Sequence, residues 1–362
     1  MRPGNETELA EAIRAAAGPV VVRGGGTRAI GLAPGVVLET GGLAGVELYE
    51  PGALTLVVRA GTPVAEVEAV LAGERQRLAF EVPDLRGLLG REGGSTIGGV
   101  VAANASGPRR VQVGAARDSL LGVRFIDGAG VIVKNGGRVM KNVTGYDLVK
   151  LMAGSQGTLG VLSEVSFKVQ AVPEAEATLC CKGLDAAAAV AALAAAMGSP
   201  FDVSGAAWTP GGGALIRVEG LAGSVAYRAG ALAERLGPGW ERIEGAALWR
   251  GIRDVSAFAG VAGAVWRLSV KPSDAPGVLA ALGPVTRDVV MDWAGGLVWL
   301  LVDEATPAAT IRGALPGGHA TRVRGSGDGP AFPPEEPALA RLSTGLRAQF
   351  DPRGILNQGM MG

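Results

Sequence analysis

Glycine accounts for 59 of the 362 residues, about twice its usual share of roughly 7%, and its placement limits what the chain can become. The glycines have no three-residue period, which excludes a collagen-like rod, and they cluster in short loops between apolar runs. Such loops mark tight turns and places where another backbone or a ligand approaches closely. The apolar runs between them read as elements. Asn5 and Glu8 have capping-box spacing ahead of Leu9, Ile13, Ala16 and Ala17, and Gly18-Pro19 closes the run, so the first helix spans about 6–17. Strand-like runs follow at 19–23, 35–39 and 54–60, then a helix from Pro63 to about 72. Residues 83–118, mostly glycine and small polar residues, read as a ligand-embracing loop with one short helix. Strands resume at 120–126 and 130–134, and 161–169 alternates apolar and polar residues as a half-buried strand.

Composition changes at Pro173. From there the order is a strand (177–182), an alanine-rich helix (185–197), a hairpin (205–208 and 214–218), a helix (223–236) and a strand (239–244). This β-α-β-β-α-β order is ferredoxin-like, and it recurs after a linking helix near 246–258. Three regions result: a first domain over 1–172, a smaller α+β cap over 173–325 with a duplicated unit, and a linker, helix and tail over 326–362 that return to the first domain. The fold class is α+β.

Lys+Arg and Asp+Glu are both 34, so the basic footprint of a nucleic-acid binder is absent. No signal-like segment opens the chain, and the apolar run at 185–197 is shorter than the ~20 residues a membrane span requires, so a cytoplasmic protein is expected. Cys180 and Cys181 are adjacent in a strand, pointing to opposite faces, and two thiols cannot ligate a four-cysteine cluster. The one histidine, His319, follows Gly317-Gly318 and has no cysteine or carboxylate cluster beside it, which leaves it a poor metal ligand and a weak general-base candidate.

Four segments carry the chemistry. RGGGTRAIG at 23–31 follows a buried strand, and successive glycines let backbone N–H groups turn toward an anion; a simple turn explains the same residues equally well. It lacks the spacing of a Rossmann fingerprint and the Gly-Lys-Ser/Thr of a P-loop. GGSTIGGVVAANASGPRR at 93–110 sets Ser95, Thr96, Asn104 and Ser106 among small residues, suiting a backbone laid against a large flat ligand. NGGRVMKNVTGYDLVKL (135–151) and GSQGTLGVLSEVSFKV (154–169) complete the set.

In this order the segments resemble the FAD-binding domain of the vanillyl-alcohol oxidase and p-cresol methylhydroxylase (PCMH) superfamily, over about 1–172 and 338–360. The tail FDPRGILNQG (350–359) is similar to that family's closing motif, with Gln358 where proline is usual. The K-N-V-T-G-Y-D run resembles the branch of D-lactate dehydrogenases and bacterial glycolate oxidase, and the short middle region looks most like FAD-binding subunits of the latter. The resemblance implies that Arg23, Gly24, Gly25, Gly26, Thr27 and Arg28 cradle a pyrophosphate. It implies that Thr96, Ala103, Asn104, Ser106 and Gly107 line the ribityl and flavin side, that Gly157, Gly160 and Val161 contact flavin and adenosine, and that Asn357 approaches the ring system. Covalent members commonly use a histidine just after the glycine loop; Thr27 stands there, so non-covalent FAD is implied.

The resemblance also implies partners, a related catalytic flavoprotein subunit and an iron–sulfur subunit, through which the chain reaches the inner membrane face. Catalytic members of the branch present histidines and a carboxylate to a metal, and this chain has no second histidine. Arg267, in VWRLSVKP, reads either as an anion clamp or as an ordinary strand-edge or surface arginine. Lys141, Tyr146 and Lys271 are uncommitted, and Glu164 and Asp147 are a candidate local pair. Trp208, Trp249, Trp266, Trp293 and Trp299 suggest a partner surface on the middle region, or core packing. Three functions stay open: an accessory FAD subunit supporting glycolate oxidation, a free-standing FAD-dependent 2-hydroxy acid dehydrogenase, and a flavin-free scaffold.

Overall fold

The structure, a computed structural model, describes residues 1–28, 30–31, 34–139 and 145–361. Lys141 and most of the K-N-V-T-G-Y-D run lie outside the described residues. The first helix, Glu6–Ala15, starts as the capping-box spacing requires: the Glu8 amide donates to Asn5 Oδ1 at 2.9 Å, and Asn5 Nδ2 donates to Glu8 Oε1 at 2.7 Å. Strands β1 (Val20–Arg23) and β2 (Val36–Glu39) pair in parallel beside it. A six-stranded sheet comprises β3 (Val46–Glu50), β4 (Thr55–Arg59), β5 (Gln76–Leu78), β6 (Leu120–Ile126), β7 (Ile132–Gly136) and β8 (Val161–Ala171). Its order is β3-β4-β8-β6-β7, with β5 on the far end of β8. β8 is covered on both faces, so Leu162, Ser163 and Ser166 are buried too and the half-buried reading is corrected. Residues 83–118 hold three short helices, Arg86–Leu89, Ile97–Ala102 and Arg110–Val113, where the sequence suggests one, and β3 and β5 lie in stretches to which the sequence assigns no element.

The chain turns at Pro173 into a second, eight-stranded antiparallel sheet: β9 (Ala175–Cys181), β10 (Val203–Thr209), β11 (Gly213–Gly220), β12 (Glu241–Ile243), β13 (Ala264–Ser269), β14 (Thr286–Asp292), β15 (Leu297–Val302) and β16 (His319–Arg324). The order β12-β9-β11-β10-β14-β15-β13-β16 is the ferredoxin-like order written forward and then reversed, the halves meeting at Trp208↔Met291. Both β-α-β-β-α-β copies therefore exist, fused through their second strands. Helices Ala186–Met197, Ala222–Leu236, Ala275–Leu282 and Ala308–Gly313 cover one face through Leu193, Leu232, Val278 and Ile311. The other face packs Trp249, Phe258 and Trp299 toward Leu88 of the six-stranded half. Cys180 and Cys181 are free and buried.

The tryptophans do not form a partner surface. Trp208, Trp249, Trp266 and Trp299 are buried in these two clusters, and half-buried Trp293 donates Nε1 to the Gly107 carbonyl at 3.1 Å, tying the two sheets together. Arg267 lies on β13 between β15 and β16, so it is not a strand-edge residue. Asp147 and Glu164 do not pair: Asp147 caps the helix Leu148–Met152 by accepting from the Lys150 amide, and Glu164 sits opposite Arg124.

A buried ionic network joins the sheets. Arg217, on β11, sends Nη1 and Nη2 to Glu81 at 2.9 and 3.2 Å, and Arg109 holds Glu219 with Nε and Nη2 at 3.0 and 3.1 Å. Arg77 reaches Glu219 at 2.7 Å, and Arg217 stacks on Trp249 with 4.8 Å from Cζ to ring centroid. Burial pushes the Glu219 carboxyl up, but Arg217, Arg109 and Arg77 outweigh it and hold it at about 2. Because that value lies below the ordinary 4.5, the stabilisation is complete above pH 4.5 and is lost as pH falls toward 2. Glu219→Gln is therefore expected to cost about 3–5 kcal/mol in urea unfolding at pH 7. Its Tm should fall less steeply than that of the parent chain across the acid window.

Candidate functional site

The two sheets enclose a cleft of about 1050 Å³, at the upper end of ligand-site volumes, into which the glycine loop, the tail and the edge of the second sheet project. One wall is Val22–Arg28 with Thr96, Gly98 and Gly99; a second is Ser155–Gly157 with Gly160; the third is Arg322–Gly325 with Pro330 and Ala331. Asn357, Gly359 and Met360 close the end.

The glycines are required by the close approach of the 94–96 segment. A Cβ on Gly25 would lie 1.6 Å from the Gly94 carbonyl oxygen, and one on Gly24 would lie 2.2 Å from Thr96 Oγ1. The 23–28 loop thus rests directly on the 94–96 segment, leaving its outer side to the cleft. Arg28 crosses behind it, donating to Ser95 Oγ and the Pro83 carbonyl, and burial pushes its pKa down to about 10 despite Asp84 and Asp254. Arg28 therefore works as a strut holding the loop. Buried Thr27 lines the cleft.

Asn357 is a clasp. With φ at +41°, its Oδ1 accepts from the Val22 amide at 2.7 Å and its Nδ2 donates to the Gln156 carbonyl at 2.6 Å, while its own amide donates to Val20. The tail pairs with β1 through Val20↔Leu356 and so joins the glycine loop to the 155–160 turn. Gly157, at φ +74°, leaves room for that amide, since a Cβ there would come within 2.7 Å of Asn357 Nδ2. Arg353 fixes the tail from behind by donating to the carbonyls of Ile13, Ala16 and Gly128.

Of the residues named from sequence, Arg23, Gly24, Gly25, Gly26, Thr27, Arg28, Thr96, Ala103, Gly157, Gly160 and Asn357 line the cleft. Asn104, Ser106, Gly107 and Val161 do not. Asn104 Oδ1 accepts from the Arg117 amide, and Ser106 Oγ accepts from the Ala116 amide. Gly107 binds Glu81 and Trp293 through its main chain, and Val161 is buried beside Leu9 and Ile13. Sequence reasoning passed over Ser155, Gln156 and the Arg322–Arg324 wall. Ser155 Oγ is buried in the cleft wall with no hydrogen-bond partner, which leaves its bonding capacity for a water or a ligand atom in the cleft. Ser155 lies inside the GSQGTLG motif; nothing in the sequence marks Arg322 or Arg324.

A second group lies on the sheet face that looks toward this half. Arg110 and Arg267 place Cζ 4.6 and 5.4 Å from the Trp293 ring. Among the described residues no carboxylate is hydrogen-bonded to either, and burial with repulsion from Arg110 pushes Arg267 down to about 10. Asp292, directly before Trp293 at the end of β14, accepts from the Trp293 amide at 2.7 Å, and burial pushes its carboxyl up to about 7. His319 opens β16 at the rim; desolvation and the Arg267 charge hold its pKa down. Tyr146 and Lys271 are exposed. No group of three or more His, Cys, Asp and Glu among the described residues is arranged to hold a metal ion.

Residues 1–136 match the FAD binding domain family. The glycolate oxidase subunit GlcE of Escherichia coli (strain K12) is 37% identical over 348 residues, covering 95% of this chain and 92% of the relative. The glycolate oxidase subunit GlcD of Bacillus subtilis (strain 168) is 35% identical over 180 residues, 47% of this chain and 36% of the relative. Among solved structures, alkyldihydroxyacetonephosphate synthase superposes with a TM-score of 0.72 at 15% identity, over 99% of this chain and 76% of that one, which shows a shared fold. The cleft's size, its main-chain lining and the orphaned Ser155 hydroxyl fit FAD.

Removing the clasp tests the geometry. Asn357→Ala leaves the Val22 amide and the Gln156 carbonyl without partners, at about 1–3 kcal/mol each. Flavin titration should show FAD binding weakened at least tenfold, with Asn357→Asp, which keeps the acceptor, falling between the two.

Proposed function

This chain belongs to the PCMH-type FAD-binding family, as the glycolate oxidase subunit GlcE does, and on that premise we propose that it is the FAD-binding subunit of a glycolate oxidase complex. It supports oxidation of glycolate to glyoxylate and passes electrons to a related catalytic flavoprotein subunit and an iron–sulfur subunit. The observation that carries this is the cleft, in which a glycine-rich loop and the Ser155–Gly157 turn with its unpartnered Ser155 hydroxyl face the Arg322–Gly325 wall. Residues 1–172 with the tail form the flavin unit and 173–325 the cap. Gly24–Thr27 face the pyrophosphate through their backbone, Thr96, Ala103, Ser155, Gln156, Gly157 and Gly160 line the flavin side, and Asn357 holds both walls at the required spacing. Bound FAD supplies two-electron chemistry. Among the described residues the lining offers it no histidine, cysteine or tyrosine, which supports non-covalent attachment.

Proton removal from a hydroxyl calls for a positioned base, typically about 10²–10⁴-fold in rate, and His319 stands at the rim of the second sheet, away from the residues lining the cleft. The partner subunit supplies that chemistry in this reading. A second reading, a free-standing 2-hydroxy acid dehydrogenase, draws on Arg267. A half-buried guanidinium with no hydrogen-bonded carboxylate suits a substrate carboxylate, and Asp292 is then the group to hold the proton.

Acid precipitation should release all flavin to the supernatant. The purified chain loaded with FAD should turn over glycolate at least tenfold more slowly than the chain co-expressed with its partner subunits. Equal turnover would favour the second reading, in which Arg267→Met raises KM at least tenfold and Asp292→Asn lowers kcat.

A further inference from the structure

Between β16 and the helix Pro337–Phe350 the chain crosses from the cap toward the tail, and the crossing is held through its carbonyls. Arg312, on the helix Ala308–Gly313, donates Nη2 to the carbonyls of Pro330 at 2.6 Å, Phe332 at 3.1 Å and Ala331 at 3.3 Å. Arg322, on β16, donates Nη1 to the Asp328 carbonyl at 2.7 Å and Nη2 to that of Gly329 at 2.8 Å. Its amide donates to the Ala331 carbonyl at 2.9 Å, and the Ala308 amide donates to Asp328 Oδ1 at 2.9 Å. The carbonyls of 328–332 thus all meet one of two guanidiniums, in bonds strengthened by the positive charge. Both guanidiniums lie over buried Trp266, with Cζ 5.3 and 5.7 Å from the ring centroid, so the staples are fixed to the cap. No residue from 325 to 333 is buried, and apolar packing therefore does not order this segment.

Its far side is lightly held. Gly329, Pro330 and Ala331 line the cleft, and the segment then meets Gly31 at the end of the glycine loop. A Cβ on Gly31 would stand 3.3 Å from Ala331 Cβ and 3.8 Å from the Phe332 ring, and among the described residues no hydrogen bond crosses this contact. The segment therefore bridges two walls of the cleft, stapled to one and resting on the other. We propose that residues 328–332 are a strap that retains FAD, and that it opens by parting from Gly31. Arg312 is then a positioning residue for the cofactor. It is absent from the cleft lining, so its effect on FAD passes through the three carbonyls it holds. Loops that close over a site commonly set the rate of release, and a segment with few buried contacts is the kind that opens locally. The proposal rests on the reading of the cleft as the FAD site.

The test is the rate at which the FAD-loaded full chain releases FAD on dilution, read from flavin fluorescence. Gly31→Cys combined with Ala331→Cys sets two Cβ atoms close to the spacing of about 3.5–4.5 Å that a disulfide needs. Cys180 and Cys181 are buried, so the new pair is the one that oxidised glutathione reaches. Oxidation of the loaded double variant should slow release at least tenfold, and dithiothreitol should restore it. Arg312→Met should speed release at least tenfold with the association rate unchanged, and Arg312→Lys should fall between it and the parent chain. If the oxidised pair releases FAD at its reduced rate, the strap is overturned while FAD binding stands. An Arg312→Met chain that lowers the Tm of the FAD-free protein but leaves the release rate unchanged overturns it too. Where Arg312→Met fails to fold, the disulfide pair decides. New thiols that both stay titratable after oxidation would place the strap away from Gly31 and overturn the proposal. A parent chain that binds no FAD would overturn both the strap and the cleft reading.

Discussion

The salt-bridged junction of Arg77, Arg109 and Arg217 with Glu81 and Glu219 is what the rest of the molecule depends on. The cleft has no continuous sheet of its own. Its walls come from two sheets whose relative placement is fixed by this network, by Trp293 on Gly107 and by Arg324 donating to the carbonyls of Leu88 and Phe258. Charges so deeply buried are costly unless every one is matched. Here Glu219 accepts from the guanidiniums of Arg77 and Arg109, Glu81 accepts from the Arg217 guanidinium and the Arg109 amide with Arg109 Nη2 3.6 Å away, and half-buried Glu176 sits close enough to feel both Arg217 and Glu219. The arrangement is directional as well as strong, because a shift of one sheet over the other breaks several bonds together. An apolar interface of similar area would allow more sliding.

Given that fixed frame, the cleft wall is a problem of backbone approach. Gly24 and Gly25 touch the 94–96 segment with no room for a Cβ, and Asn357 links β1 to the 155–160 turn from the far end of the chain. The cleft is thus closed at one end by the docked tail, and the proposed FAD site couples folding of the last residues to cofactor binding. Arg353 and the Asp351 carboxylate, which accepts from the Leu356 amide, place the tail for that purpose.

Much of this was legible in the residues. The Asn5–Glu8 cap, the small-residue segments and the repeated strand–helix order of the second half each have a local signature, and the structure follows them. The tail motif marked Asn357, although its role is to clasp two main-chain segments. Illegible were features that depend on distant pairing. β3 and β5 are short edge elements whose pairing with β4 and β8 decides them more than their own pattern does. Asn104, Ser106 and Gly107 lie in the right motif but turn to Arg117, Ala116 and Glu81, since side-chain direction follows the local turn. The tryptophans read ambiguously because large aromatic residues suit cores and interfaces alike. Arg322 and Arg324 reach the cleft only because β16 is the outermost strand of the second sheet.

The central claim is that FAD occupies the cleft between the glycine loop, the tail and the outer strand of the second sheet. Hydrogen–deuterium exchange on the chain with and without FAD tests it most directly. Protection confined to residues 22–28, 94–103, 155–160, 322–325 and 356–360 is the expected result. Unchanged exchange in those segments, or protection centred instead on the small cavity beside Arg77, Pro173 and Arg250, would contradict it.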